Sequence, residues 1–323
     1  MRPFVVLWVI LNTVHERFTR RNAMTTLKKI WKQKELYLLV LPVLLYYLPF
    51  HYKPMYGLII AFMDYSPRRG ISGSDWVGLQ HFISFFQSIY FKRLLGNTLK
   101  ISLATIVFGF PAPIILALLM NELRSKKFSR ITQTITYMPH FISTVVICSM
   151  IREFIKPEGF ITQILVHLFN YSGKNLLSGP ENFLPIYVIS DIWQGIGWGS
   201  IVYLAALTAV DTELYEAAQI DGAGRWKQML HITLPGIMPT IIIMLIMRLG
   251  QVMSVGYEKI ILLYNEGIYE TADVISTYVY RMGLVDRQYS FSAAVGLFNS
   301  VVNFVLVILA NHISKKVSDT SLW

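Results

Sequence analysis

Cysteine is nearly absent: the 323 residues include one, Cys148, set inside an apolar run. No intrachain disulfide is available, and such a thiol reads as a small buried hydrophobe. Charge is scarce as well, at 15% of residues, where soluble domains carry about 25%. The seven histidines are scattered without paired spacing, which argues against a metal site. There is no G-x-x-x-x-G-K-[ST] sequence and hence no loop to cradle a nucleotide phosphate. Gly197-Trp198-Gly199-Ser200 is not a G-x-S-x-G elbow, and no histidine in a later apolar run could activate Ser200. His231 falls in a connection and His312 at the end of the last run. No internal repeat is visible and acidic residues inside the apolar runs are few, so an ion-coupled carrier also finds little support.

What is abundant is apolar surface. Hydrophobic residues make up 54% of the chain, and the mean hydropathy is +0.48. Six segments are long enough to span a bilayer, near 36–63, 96–120, 134–155, 184–209, 235–257 and 290–313. Most carry prolines, which transmembrane helices tolerate because neighbours and water re-satisfy the freed backbone. The expectation is an all-α integral membrane protein of six transmembrane helices. Net charge is +10, but the basic residues form short juxtamembrane groups, which suits anionic lipid and gives no case for nucleic acid.

Those groups set orientation. Arg17, Arg20, Arg21, Lys28, Lys29, Lys32 and Lys34 precede the first span. Arg124, Lys126, Lys127 and Arg130 crowd the second connection, Arg225 and Lys227 the fourth, and Lys315 and Lys316 the tail. The positive-inside rule places both termini and the fourth connection in the cytoplasm. The expected organisation is a cytoplasmic tail over 1–35, a six-helix transmembrane bundle over 36–313 and a second cytoplasmic tail over 314–323. Phe4 to Leu11 is apolar behind Arg2, but no small-residue cleavage site follows. A cytoplasmic tail with an amphipathic segment is the favoured reading, and translation from Met24 is an alternative.

The fourth connection, 211–235, is unusually structured. Asp211 can cap a helix with Glu213 in its first turn, and Leu214, Ala217, Ala218 and Ile220 give it an apolar side. Asp221-Gly222-Ala223-Gly224 breaks that helix. A second short helix is predicted from about Arg225 to Ile232, ahead of Pro235. Two readings fit: a helix–turn–helix that docks in a groove of a cytoplasmic partner, or a pair of interfacial helices anchored to lipid.

Glu216-Ala217-Ala218, Asp221-Gly222-Ala223 and Ile232-Thr233-Leu234-Pro235 resemble the EAA loop of permease subunits of bacterial ABC importers. Trp76-Val77-Gly78-Leu79-Gln80-His81-Phe82 is similar to the family's extracytoplasmic signature, and Asn97-Thr98 opens the second span as in sugar permeases. The stretches Asp273 to Tyr280 and Ala294 to Ser300 resemble the branch that imports polysaccharides and alginate. The resemblance implies the type I importer permease fold. It implies a non-catalytic subunit in a bacterial cell membrane, whose coupling contact is Glu216, Ala217, Ala218, Asp221, Gly222, Ala223 and Gly224. It further implies two separate ATPase subunits carrying ATP and Mg, a second paralogous permease and an extracytoplasmic sugar-binding protein.

Candidates for the sugar path are the polar and aromatic residues within the spans, since such groups usually face an interior or a cavity. They are Asp191, Trp193, Gln194 and Trp198 in the fourth span, Arg248, Gln251, Tyr257 and Glu258 in or after the fifth, and Asn299 and Asn303 one helical turn apart in the sixth. Other roles compete: belt positions for the tryptophans, helix-to-helix hydrogen bonds for the asparagines, and an Asp191–Arg248 pair. Arg248 would suit an acidic sugar. The segments Tyr65 to Gln80 and Leu262 to Asp286 either dock the binding protein or cap the bundle.

Overall fold

The structure, a computed structural model, describes residues 33–318 and 320–322. The expectations for residues 1–24 lie outside the described residues. The chain divides into two units, Met1–Ile59 and Ile60–Trp323. In the first, α1 (Lys34–Tyr47) continues through a π turn at Leu48–Tyr52. None of its side chains is buried, and Leu36, Leu38, Leu39 and Leu45 are exposed.

The second unit opens with a two-stranded hairpin, β1 (Met63–Asp64) pairing antiparallel with β2 (Asp75–Trp76), followed by α2 (Gln80–Gln87). The next span is α3 (Phe91–Ala104), a π turn at Thr105–Gly109 and α4 (Pro111–Asn121). The π turn stands just ahead of Pro111, where the missing N–H and the ring displace the regular ladder.

The third span is not the single helix expected over 134–155. α5 (Lys126–Tyr137) ends in a 3₁₀ turn, Met138–Phe141, and α6 (Thr144–Ile155) and α7 (Phe160–Phe169) leave at 98°. Pro139 cannot extend the ladder, and Ser143 restarts it by accepting a hydrogen bond from the Val146 amide at 3.4 Å. The fourth span, α8 (Phe183–Leu207), is unbroken over 25 residues.

Beyond α8 the connection holds α9 (Thr212–Ile220) and α10 (Arg225–Gln228). α10 runs through a π turn at Met229–Thr233 into Leu234–Gly236. α11 (Met238–Leu249) then departs at 59°. The fifth span thus ends at Leu249 rather than at 257. Gly250 and the seams to Asn303 and Ser102, described below, hold the following residues out of the helix. α12 (Tyr257–Leu263), α13 (Tyr269–Ala272) and α14 (Ile275–Tyr280) are short, and α15 (Tyr289–Ser318) is the last span. Among the described residues three helices are long and apolar enough to cross a membrane, and five if each bent pair is one span. α8 is 25 residues long but is not among these, with Asp191 and Gln194 inside it.

The core lies around α8. One apolar cluster joins Cys148, Phe183, Tyr187, Ile260, Ile268 and Val274, and another joins Ile114, Ala117, Tyr203, Leu207 and Ile237. Gly197 lies where α8 meets α5, and a Cβ there would collide with the Thr136 carbonyl. Gly197 therefore serves close helix approach, and Gly199 likewise faces Pro113. The stretch Leu262 to Asp286 is no loose cap: Ile268, Ala272, Asp273, Val274 and Ile275 are fully buried. Asp273 accepts from Arg93, Arg281 and Thr277, while Asn97 donates to its carbonyl at 3.0 Å. Burial pulls the Arg281 guanidinium down, but the hydrogen bond and charge of Asp273 outweigh it and hold Arg281 above its ordinary range.

Candidate functional site

Two regions bring together the residues singled out by the sequence. The first is the connection between α8 and α11. Asp211 caps α9 by accepting from the Glu213 amide at 2.9 Å. The helix ends in a Schellman motif: the Ala223 amide donates to the Ala218 carbonyl at 2.8 Å and the Gly222 amide to the Gln219 carbonyl at 3.0 Å. The motif needs a left-handed residue, and Gly222 supplies it with φ +73°. Gln228 then reaches back, its Nε2 donating to the Ala223 carbonyl at 2.8 Å. The hydroxyls of Tyr215 and Thr233 meet at 2.9 Å, which ties α9 to the start of the next span. Arg225 lies 3.7 Å from Glu122 at the end of α4.

This framework holds an apolar surface in the open. Ile220 is 88% exposed and Trp226 71%, with Leu214 and Leu230 also exposed. Glu216, Ala217, Asp221, Gly222 and Gly224 are exposed, and Ala218 and Ala223 are half-buried. Those two alanines line a shallow cavity of about 440 Å³ with Lys227, Gln228, His231 and Ile232. A capped helix–turn–helix showing an apolar ridge and a concave neighbour can seat against a second protein.

The second region is a cavity of about 210 Å³ between α3, α8 and the chain after α11. Asp191, Arg248 and Gln251, all anticipated, line it together with Ser102, Thr105, Tyr187, Ser254 and Gly256. Asn303 stands behind it as a brace: its Oδ1 accepts from the Met253 amide at 2.9 Å and its Nδ2 donates to the Ser254 hydroxyl at 2.8 Å. On the other side Ser102 donates to the Val252 carbonyl. The segment after α11 is thus pinned from α3 and α15.

Other anticipated residues lie elsewhere. Trp193 is exposed, and Trp198 stacks on His140 with ring centroids 4.5 Å apart. Tyr257 stacks on Tyr280, and neither it nor Gln194 lines the cavity. The Asn299 Oδ1 is buried without a hydrogen-bond partner among the described residues, also away from the cavity lining. Asp191 does not pair with Arg248. Its partner is Lys259 on α12, at 3.7 Å. The sequence candidates stop one residue short of it, at Glu258; the signal for Lys259 is a lone lysine before the apolar Ile260 to Leu263.

Comparison with known proteins decides the family. The model of the binding-protein-dependent transport system inner membrane component matches residues 109–319. The chain belongs to that family. The permease is 44% identical to the polygalacturonan/rhamnogalacturonan transport system permease protein YteP of Bacillus subtilis (strain 168), over 95% of each chain. It is 45% identical to Protein LplB of the same organism, over 90% of this chain and 92% of that one. A crystal structure of a bacterial ABC transporter that imports the acidic polysaccharide alginate contains a chain 45% identical to it. The match has a TM-score of 0.83 and covers 91% of the permease and 99% of that chain. The permease is thus a multi-pass membrane protein with the fold of an ABC importer permease.

Proposed function

We propose that this permease carries an oligo- or polysaccharide, an acidic one, into the cytoplasm by alternating access, driven by ATP hydrolysed on separate subunits. The observation that carries this reading is that the exposed 211–235 loop and the polar cavity stand at opposite ends of one bent helix pair, Arg225–Gly236 with Met238–Leu249. Movement of the loop would be felt where Arg248 and Gln251 line the cavity. The names of the relatives, which speak of polygalacturonan, rhamnogalacturonan and alginate, support the acidic class.

In this reading Glu216 to Gly224 seat in a cleft of an ATPase subunit, with Ile220 and Trp226 as apolar anchors. Two ATPase copies hold ATP and Mg, and a second permease subunit pairs with this one in a bacterial cytoplasmic membrane. Both termini and the loop face the cytoplasm. An extracytoplasmic binding protein delivers the sugar, in line with a solved relative in complex with a periplasmic protein bound to an alginate pentasaccharide. At about 210 Å³ the cavity is smaller than the ~300–1,000 Å³ of sites that enclose drug-sized ligands, so it fits a single ring of a longer path.

Co-purification of the assembled transporter tests the reading. Ile220→Asp with Trp226→Ser should strip the ATPase from the membrane subunits while leaving the permease inserted. Retention of the ATPase together with full sugar-stimulated ATP hydrolysis would overturn it.

A further inference from the structure

Lys259 is an anomaly within the bundle. Its side chain is 6% exposed, and its Nζ makes no hydrogen bond among the described residues. An ammonium carries three donors and is rarely buried without partners for them. Its one ion-pair partner among the described residues is Asp191, with Oδ1 at 3.7 Å, well beyond the ~2.7–2.9 Å of a charge-assisted hydrogen bond. The Tyr187 ring stands 5.5 Å away and supplies only its face. Glu258, next in the chain, is exposed and forms no ion pair among the described residues.

The arrangement around it is lopsided. Asp191 and Tyr187 both line the cavity, so Lys259 lies directly behind its wall. Arg248 lines the same cavity and also forms no ion pair among the described residues. Two basic side chains, one of them unpaired among the described residues, therefore stand at one cavity beside a single carboxylate. A neutral sugar would leave that imbalance as it stands. A carboxylate entering the cavity would cancel it, with Arg248 offering a planar fork of donors and Lys259 its unused ones.

We propose that Lys259 is a specificity-determining residue: with Arg248 it gives the cavity a positive excess that selects a carboxylate-bearing sugar, and Asp191 holds its ammonium until that carboxylate arrives. The inference rests on the cavity being part of the sugar path. The loose Asp191–Lys259 pair suits the exchange, because no hydrogen bond is broken when Lys259 changes partner. Asp191 is itself partly exposed and remains solvated after the exchange.

Binding to the complete detergent-solubilised transporter, without binding protein, tests this with two probes: trigalacturonate and its methyl ester, which keeps the sugar rings and loses the charges. The wild type should bind the acid at least tenfold more tightly than the ester. Lys259→Met should weaken acid binding about tenfold and leave the ester unchanged, Lys259→Arg should restore the preference, and Asp191→Asn should raise it. A wild type indifferent to esterification, or a Lys259→Met variant that loses both probes equally or neither, overturns the proposal. Where Lys259→Met fails to assemble, Asp191→Asn decides, and an unchanged preference overturns it. Gln251→Ala separates this from the broader reading. If it weakens both probes while Lys259→Met does not discriminate, only the role of Lys259 falls. If neither variant alters any binding, the cavity is not on the sugar path.

Discussion

Arg281 grips the carboxylate of Asp273 with both terminal nitrogens, at 2.8 and 3.3 Å, and that carboxylate is wholly inaccessible to solvent. Arg93 approaches the same oxygen at 3.3 Å, so two cations from separate segments close on one buried anion. Removing one member of a buried ion pair costs ~3–5 kcal/mol. Both arginines keep some contact with water, which places Asp273→Ala near the lower end, about 3 kcal/mol. Thermal unfolding of the purified protein in detergent should show a clear fall in midpoint. An unchanged midpoint would mean the network is not stabilising.

At Gly222 a Cβ would meet nothing within 4 Å, so substitution there acts on the backbone alone. A left-handed non-glycine residue costs ~1–2 kcal/mol, and Asn tolerates the conformation better than Ala. Gly222→Ala should leave insertion intact and lower sugar-stimulated ATP hydrolysis in proteoliposomes, while Gly222→Asn should recover much of it. Equal activity in all three proteins would disconnect the turn from coupling.

Gly197 and Gly195 sit two residues apart on α8 with opposite expectations. A Cβ at Gly197 runs into the Thr136 carbonyl, whereas one at Gly195 meets open space. Gly197→Ala should destabilise by ~1–3 kcal/mol, the usual cost of overpacking. Gly195→Ala should stay within about 0.5 kcal/mol of wild type. Thermal midpoints in one detergent would compare them, and equal effects would contradict the close α5–α8 approach.

Asn303→Leu removes the brace behind Met253 and Ser254 and leaves the buried Met253 amide unpaired, a loss of ~1–3 kcal/mol. Because Ser254 and Gln251 share the cavity wall, the apparent KM for sugar uptake should rise several-fold. A stability loss with an unaltered KM would confine Asn303 to the scaffold.

Much of this was legible in the sequence because it is local. Asp211 as a cap and Gly222 as the turn depend on spacing a few residues long, and both are found. The bend at Pro139 was harder to read, since proline also lies in spans that do not turn as sharply. The end of the fifth span at Leu249 depends on Asn303 and Ser102, some 50 and 150 residues away in sequence. The burial of Lys259 is likewise non-local, since α12 must fold back against α8 before its ammonium can meet Asp191. Hydropathy weighs each residue with its neighbours in the chain and carries no record of such returns.

The Tyr215–Thr233 and Gln228–Ala223 hydrogen bonds close the 211–235 connection into a stiff bracket. A stiff bracket does not absorb a push; it rotates. Under the proposed coupling the rotation would pass into α11, about 18 Å long at 1.5 Å per residue over 12 residues, whose far end carries Arg248. The hinge available to it is Ile237, where the two helices meet at 59°. A small angular stroke at the surface would therefore reach the cavity lengthened by the arm, and stroke length would be set by where the helix bends. Moving that bend by one turn should alter the throw without touching a single residue at either end.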